Sequence, residues 1–241
     1  YDRRSDATNM HFADLNAAVR NAAEEEIVIE NCIGQRYIAA GSSERHISVI
    51  GTPGNALGAY LNGTSVRVEG NVQEATGDTM NCGSIVVNGS AGDATGYAMR
   101  GGVILVRGDV GYRCGIHMKA YRENKPAIVI GGRAGSFLGE YQAGGTIVVL
   151  GDRRGGKPII GNFCGTGMHG GEIYLRCEEI PPLLPAQVRA ERVSELPEDV
   201  RSLIGAWCGA FGEGAAAYLN ASYIRLVPNS ANPYKQMYTD N

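Results

Sequence analysis

The chain has 241 residues, of which 44% are hydrophobic and only 7% aromatic, and its 35 glycines are about twice the usual share of roughly 7%. A chain of this size buries a sizeable core without metal or disulfide staples. A net charge of -3, from 22 Lys and Arg against 25 Asp and Glu, excludes a protein whose main task is to hold phosphate backbones, and no run approaches the ~18 apolar residues of a membrane span, so neither nucleic acid nor membrane is an expected partner.

Residues 12–22 (FADLNAAVRNA) set Phe12, Leu15, Val19 and Ala22 at helical spacing, so 1–26 reads as an N-terminal helix and cap. A strand begins at Ile27 (IVIEN), and RHISVIG (45–51) closes the first clear unit of a repeat. Gly51, Gly70, Gly89 and Gly108 lie nineteen residues apart, and Gly58, Gly77, Gly96 and Gly115 keep the same interval. Beyond Gly108 the register continues through insertions, with terminal strands ending at Gly132, Gly151 and Cys177. Each unit ends in a short strand, such as SIVVN (84–88) or VILVR (103–107). Alone it can satisfy neither its strand edges nor its apolar face.

Stacking equivalent units solves both problems. The spacing predicts an all-β solenoid over 27–177, a parallel β-helix of about seven coils rising by about 4.8 Å each. Val66/Val68, Ile85/Val87, Ile104/Val106, Ile128/Ile130, Ile147/Val149 and Ile173/Leu175 share two interior phases. Leu61, Met80, Met99, Met118 and Met168 form a second core ladder, interrupted by Gln142, and Cys114 and Cys164 share a phase with Leu57, Thr76, Thr95 and Leu138. Between the interior positions runs an outward stripe, Val86, Leu105, Val129, Val148 and Tyr174, whose apolar character calls for a cover from the chain's own ends or from another subunit.

Residues 178–241 leave the repeat. EEIPPLLP breaks the periodicity, and 196–212 reads as a helix with Pro197 at its start, acidic residues in its first turn, and Val200, Leu203, Ile204 and Trp207 on one face. It is expected to cap the solenoid or lie on the outer stripe. A strand at 222–227 and an extended tail follow, with Tyr223, Tyr234 and Tyr238 packing on a surface.

Six scattered Cys without paired ligand spacing read as small core side chains in a reducing compartment, so the expected location is cytoplasmic. GTGMHG (165–170) matches G-x-G-x-x-G literally, but a strand follows where the dinucleotide fingerprint needs a helix. GDRRGGKP (151–158) lacks the helix and Ser/Thr of a phosphate cradle. His117 and His169 fall at neighbouring phases but not at ligand spacing, and Glu74, Asp78, Asp93 and Glu140 flank glycine turns, where carboxylates cap backbone N–H groups. No catalytic, cofactor-binding or metal-binding residue is assigned. The insertions KAYRENKP (119–126) and DRRGGKP (152–158) are expected to enter neighbouring coils at corresponding places. They would bring Lys119, Arg122, Lys125, Arg153, Arg154 and Lys157 to one edge as a positive lobe for an acidic partner or anionic substrate.

The strings GTPGNALGAYLNG, GNVQEATGDTMNCG, GSAGDATGYAMRGG and GGRAGSFLGEYQAGG, with Asn31, Arg36 and Gly41 before them, resemble the GXGXG domain at the C-terminus of the glutamate synthase large subunit, and more distantly the glycine-rich subunit of formylmethanofuran dehydrogenase. The resemblance implies a right-handed β-helix without catalytic residues of its own. It also implies a stand-alone structural subunit of a glutamate synthase-like complex, with separate amidotransferase and synthase subunits that carry FMN and an iron–sulfur cluster. The alternative is the equivalent scaffold of a formylmethanofuran dehydrogenase or formyltransferase/hydrolase complex. A homo-oligomer is a further arrangement compatible with the outer stripe.

Overall fold

The computed structural model describes residues 3–229, so Tyr234 and Tyr238 lie outside the described residues. The elements are β1 (Arg3–Asp6), α1 (Phe12–Arg20), β2 (Glu26–Ile33), β3 (His46–Thr52), β4 (Asn62–Glu69), β5 (Cys82–Val87), β6 (Val103–Val106), β7 (Ala127–Ile130), β8 (Ala143–Val149), β9 (Gly170–Leu175), β10 (Val188–Val193), α2 (Glu198–Phe211), α3 (Ala216–Leu219) and β11 (Tyr223–Pro228). They build one mostly parallel 11-stranded sheet in the order β1 to β9, then β11, then β10. β1 to β9 pair in parallel in chain order, whereas β11 runs antiparallel to both β9 and β10.

The register follows the repeat. Val66, Ile85, Ile104, Ile128, Ile147 and Ile173 oppose one another across successive strands. All are buried, because alternate side chains of a strand point to one face. A second set of parallel bridges joins Val72, Ala91, Val110, Ala134 and Ile160, one residue from each unit. Between bridge and next strand each unit makes a turn whose backbone alternates into the left-handed region, as at Ala94 (φ 56°), Gly96 (φ 71°) and Ala98 (φ 49°). The N–H groups of these turns bond alternately to the following and preceding units: Ala94 to Tyr112 O (2.8 Å), Gly96 to Thr76 O (2.7 Å) and Ala98 to Ile116 O (2.8 Å). Left-handed backbone disfavours ordinary L-residues by about 1–2 kcal/mol. These inter-unit hydrogen bonds hold it in place here.

The turn layer lies against the interior face of the sheet. A Cβ added at Gly96 would sit 2.5 Å from Ile128 Cδ1, and the equivalent approach is 2.5 Å between Gly77 and Ile104 and 2.6 Å between Gly115 and Ile147. Leu57, Thr76, Thr95, Cys114, Leu138 and Cys164 are buried in the core, as are Leu61, Met80, Met99, Met118 and Met168. Gln142, fully buried, hydrogen-bonds through Nε2 to the carbonyls of Gly145 (3.2 Å) and Glu172 (3.4 Å), which ties neighbouring units together. At the corners, side-chain acceptors repeat the linkage: Asp93 Oδ1 accepts from Tyr112 N (2.8 Å), and Asp109 Oδ1 accepts from Arg133 N (2.7 Å).

Several expectations need adjustment. The N-terminal segment contributes a strand as well as a helix, with β1 pairing alongside β2. Its charged sequence RRSD carries no apolar alternation to reveal it. The seven strands marked by the glycine register are β3 to β9, and two further parallel strands precede them. β10, VRAERV, is not expected from the sequence, because only its ends are strongly apolar. The helix expected over 196–212 is α2, preceded by Pro197 and closed by Gly212 in the left-handed conformation (φ 66°).

Two outcomes follow from this packing. Gly96→Ala combines a left-handed φ with the clash on Ile128 and is expected to lower unfolding free energy by about 2–4 kcal/mol, against about 1 kcal/mol for Gly155→Ala, which has φ +58° but open space around it. Adding Ile128→Val, which removes Cδ1, should recover part of the loss at Gly96; urea midpoints that add as independent costs would refute the contact. Burial pushes the Cys114 and Cys164 thiols up from 9.0 to about 12. The folded chain therefore keeps protons that the unfolded chain releases above pH 9, and stability from these thiols, present below that pH, is lost as pH rises towards 12. The double variant C114A/C164A should flatten the pH dependence of the urea midpoint between about pH 8 and 11; an unchanged slope would contradict their burial as thiols.

Candidate interaction surfaces

The outer stripe of the sheet is covered from within. α2 lays Val200, Ile204, Trp207 and Phe211 on Leu105, Val129, Val148 and Tyr174 in a second apolar cluster. Trp207 Nε1 donates to Val106 O at 2.9 Å. Its ring occupies the space over Gly131, where a Cβ would lie 2.4 Å from Cζ2. Arg67, which opposes Val86 of the stripe on the neighbouring strand, donates to Ala210 O (3.1 Å), and Arg107 donates to Phe211 O (3.3 Å). Both cations meet the negative end of the helix, the favourable sense for its dipole. Arg107 also pairs with Glu213 at 3.1 Å.

The turn layer carries a feature not expected from the sequence. His117 stacks on Tyr141 with centroids 5.1 Å apart and an interplanar angle of 13°, and Tyr97 meets the same imidazole edge-on at 6.0 Å. In a second stack, the Arg113 guanidinium lies 4.3 Å from the Phe137 ring centroid and Phe137 stacks on Phe163 at 5.1 Å. Arg113 also pairs with the Glu140 carboxylate. Tyr97, Tyr141 and Phe163 remain substantially exposed. A signal does exist in the sequence: Arg113, Phe137 and Phe163 share one repeat phase, and His117 and Tyr141 another, once the insertions are subtracted. Left-handed φ at all five residues sets their directions. The ring neighbours of His117 are Tyr97 and Tyr141, and His169 Nδ1 lies 3.2 Å from Gly167 O.

The six insertion cations do not share one edge. Lys119, Arg122 and Lys125 sit in the loop that enters β7, closed by a two-residue antiparallel bridge between Tyr121 and Asn124. Arg153, Arg154 and Lys157 sit in the loop that leaves β8. β7 and β8 are parallel, so a loop entering one and a loop leaving the other lie at opposite ends of the strands. The count of inserted residues between consecutive glycines does not distinguish the two sides of a strand. All three cations of the first loop are exposed, and Arg122 lies over the Tyr121 ring at 5.2 Å. In the second, Arg153 faces α2, with carboxylates of Asp152 and Glu213 at 3.8 and 4.0 Å. Arg154 and Lys157 instead line an open groove of about 1050 Å³ that also includes Arg133 and Arg176.

Among the described residues no group of three or more His, Cys, Asp or Glu side chains is arranged to hold a metal, all six Cys are free thiols, and no helix is long and apolar enough to cross a membrane. The chain is 42% identical to the uncharacterized protein MJ1350 of Methanocaldococcus jannaschii, over 97% of this chain and 95% of that protein. Its fold is similar to a chain in the crystal structure of the formyltransferase/hydrolase complex FhcABCD from Methylorubrum extorquens with methylofuran, with a TM-score of 0.64 and 21% identity over 93% of this chain and 90% of the other. The model of the GXGXG motif family matches residues 7–231, so the stacked glycine turns and the sheet they support place the chain in the GXGXG family.

Proposed function

We propose that the protein is a non-catalytic assembly subunit, a right-handed parallel β-helix whose rigid corners position separate catalytic subunits. The observation that carries this reading is the pair of exposed ring and cation stacks on the turn layer. Interfaces are enriched in aromatic residues and Arg, and here such groups are aligned by a hydrogen-bonded backbone and left in solvent. The helical winding is supported by the parallel run β1 to β9, the second ladder of bridges from Val72 to Ile160, and the inter-unit bonds of the turns.

On this reading the parent assembly is a cytoplasmic, glutamate synthase-like complex in which separate subunits supply the glutamine-dependent amidotransferase, the FMN and the iron–sulfur cluster. The likeness to a chain of a formyltransferase/hydrolase complex favours a second reading, in which the same scaffold serves formyl transfer or formylmethanofuran oxidation. The two basic loops, Lys119/Arg122/Lys125 and Arg153/Arg154/Lys157, are then two separate points of electrostatic attraction for partner subunits.

Affinity purification from the native cell distinguishes these readings. Copurifying flavin and iron–sulfur chains with an amidotransferase support the first, and pterin-metal or formyl-transferring chains the second. A chain recovered with no stoichiometric partner would overturn the subunit role. The isolated chain, given glutamine, 2-oxoglutarate and reduced nicotinamide, is expected to form no glutamate.

Charge reversal tests the loops separately. R122E and the pair R153E/R154E should each slow association at low salt, with effects that add because the sites are far apart, while circular dichroism stays unchanged. Association rates insensitive to both substitutions and to salt would remove the loops from the binding surface.

A further inference from the structure

The groove beside the second basic loop combines features that do not serve the isolated chain. One wall holds Arg154 and Lys157, and among the described residues neither side chain makes a hydrogen bond or ion pair. The other two cations are already engaged: Arg133 donates to Pro158 O, and Arg176 donates to Leu150 O (2.6 Å) and lies 3.7 Å from Asp152. The lining also includes the proline-broken segment after β9, which brings Glu178 and Glu179, the latter 3.5 Å from Arg192, and in which Ile180 is 44% and Leu183 89% exposed. Leu183 also has a φ of 60°, a conformation that a bulky L-residue adopts only against its own preference. A large apolar side chain held in strain and in water gives the free chain no stability.

We infer that this groove receives an extended, acidic segment of a partner subunit, whose carboxylates meet Arg154 and Lys157 and whose apolar side chains cover Ile180 and Leu183. Charge complementarity selects the acid, since four cations, Arg133, Arg154, Lys157 and Arg176, line the groove against two carboxylates, Glu178 and Glu179, and among the described residues Arg154 and Lys157 make no ion pair. The exposed apolar side chains of an open groove of about 1050 Å³ select a polypeptide over a small anion, which would use the cations and leave Leu183 bare. The inference rests on the subunit reading above and names the surface and the chemistry of one contact within it.

A photoreactive benzophenone amino acid placed at Leu183, and separately at Lys157, in the full chain assembled in its native complex tests this directly. Elution size first reports whether the complex forms; if it does not, the subunit reading fails and the groove assignment with it. If the complex forms, both positions should crosslink to a single segment of one partner that carries carboxylate and apolar residues. R154E/K157E should lower the Leu183 crosslink yield by about tenfold with the far-UV spectrum unchanged. Crosslinks to a second copy of this chain, to a segment without carboxylates, or in a yield indifferent to charge reversal would overturn the groove assignment and leave the subunit reading standing. So would a missing crosslink, including the case in which inorganic phosphate binds saturably and R154E/K157E abolishes that binding, which would make the groove a small-anion site.

Discussion

The packing of the core depends on one repeated approach between a glycine and an isoleucine. At Gly77, Gly96 and Gly115 the turn backbone approaches the δ-methyl of an Ile on the facing sheet to a distance at which any Cβ would collide. This approach sets the thickness of the core. Interiors are packed to crystalline density, so the spacing between turn layer and sheet cannot relax at one unit without disturbing the next. The Ile positions then keep the sheet in register, and the turns keep their left-handed backbone through bonds to the units on either side.

Both outer surfaces follow from that arrangement. On the sheet, the middle residue of each strand points away from the core and forms an apolar stripe that α2 covers, with Trp207 hydrogen-bonded to the strand it lies on. That stripe is thereby closed to a partner over the span of the helix. On the turns, the left-handed residues other than glycine direct Arg113, His117, Phe137, Tyr141 and Phe163 into aligned stacks. Flexible side chains lose conformational entropy when an interface forms. Rings already stacked on a hydrogen-bonded backbone lose less, which suits a scaffold.

The parts of this fold carried by repetition are legible in the sequence. The interior phases, the Met and Cys ladders and the apolar stripe are properties of single positions sampled once per unit, so a shared interval exposes them. β1 and β10 are not legible, because their mostly polar sequences carry no apolar alternation and each occurs once, outside the repeat. The basic loops stand out as insertions but do not share the edge expected of them, because the interval between glycines does not record whether an insertion enters or leaves a strand. The ring stacks share repeat phases in the sequence, but the backbone that directs them is not legible there. Positive φ is expected at glycines, whereas these turns impose it on Ala, Arg, His, Phe and Tyr as well, through bonds that no single unit contains.

If each nineteen-residue unit is an interchangeable layer held by the same contact and the same bonds, one layer can be removed whole. Deleting residues 71–89 joins Gly70 to Ser90, removes β5 with one complete turn, and brings Val66 opposite Ile104 in the interior register. Deleting 71–80 removes about half a layer and shifts every later residue out of phase. Thermal unfolding followed by circular dichroism compares the two. The account predicts a β-rich spectrum and one cooperative transition for the full-layer deletion, and no cooperative transition for the half-layer deletion. Two deletions that unfold alike, or a half-layer deletion that melts as cooperatively as the parent, would contradict it.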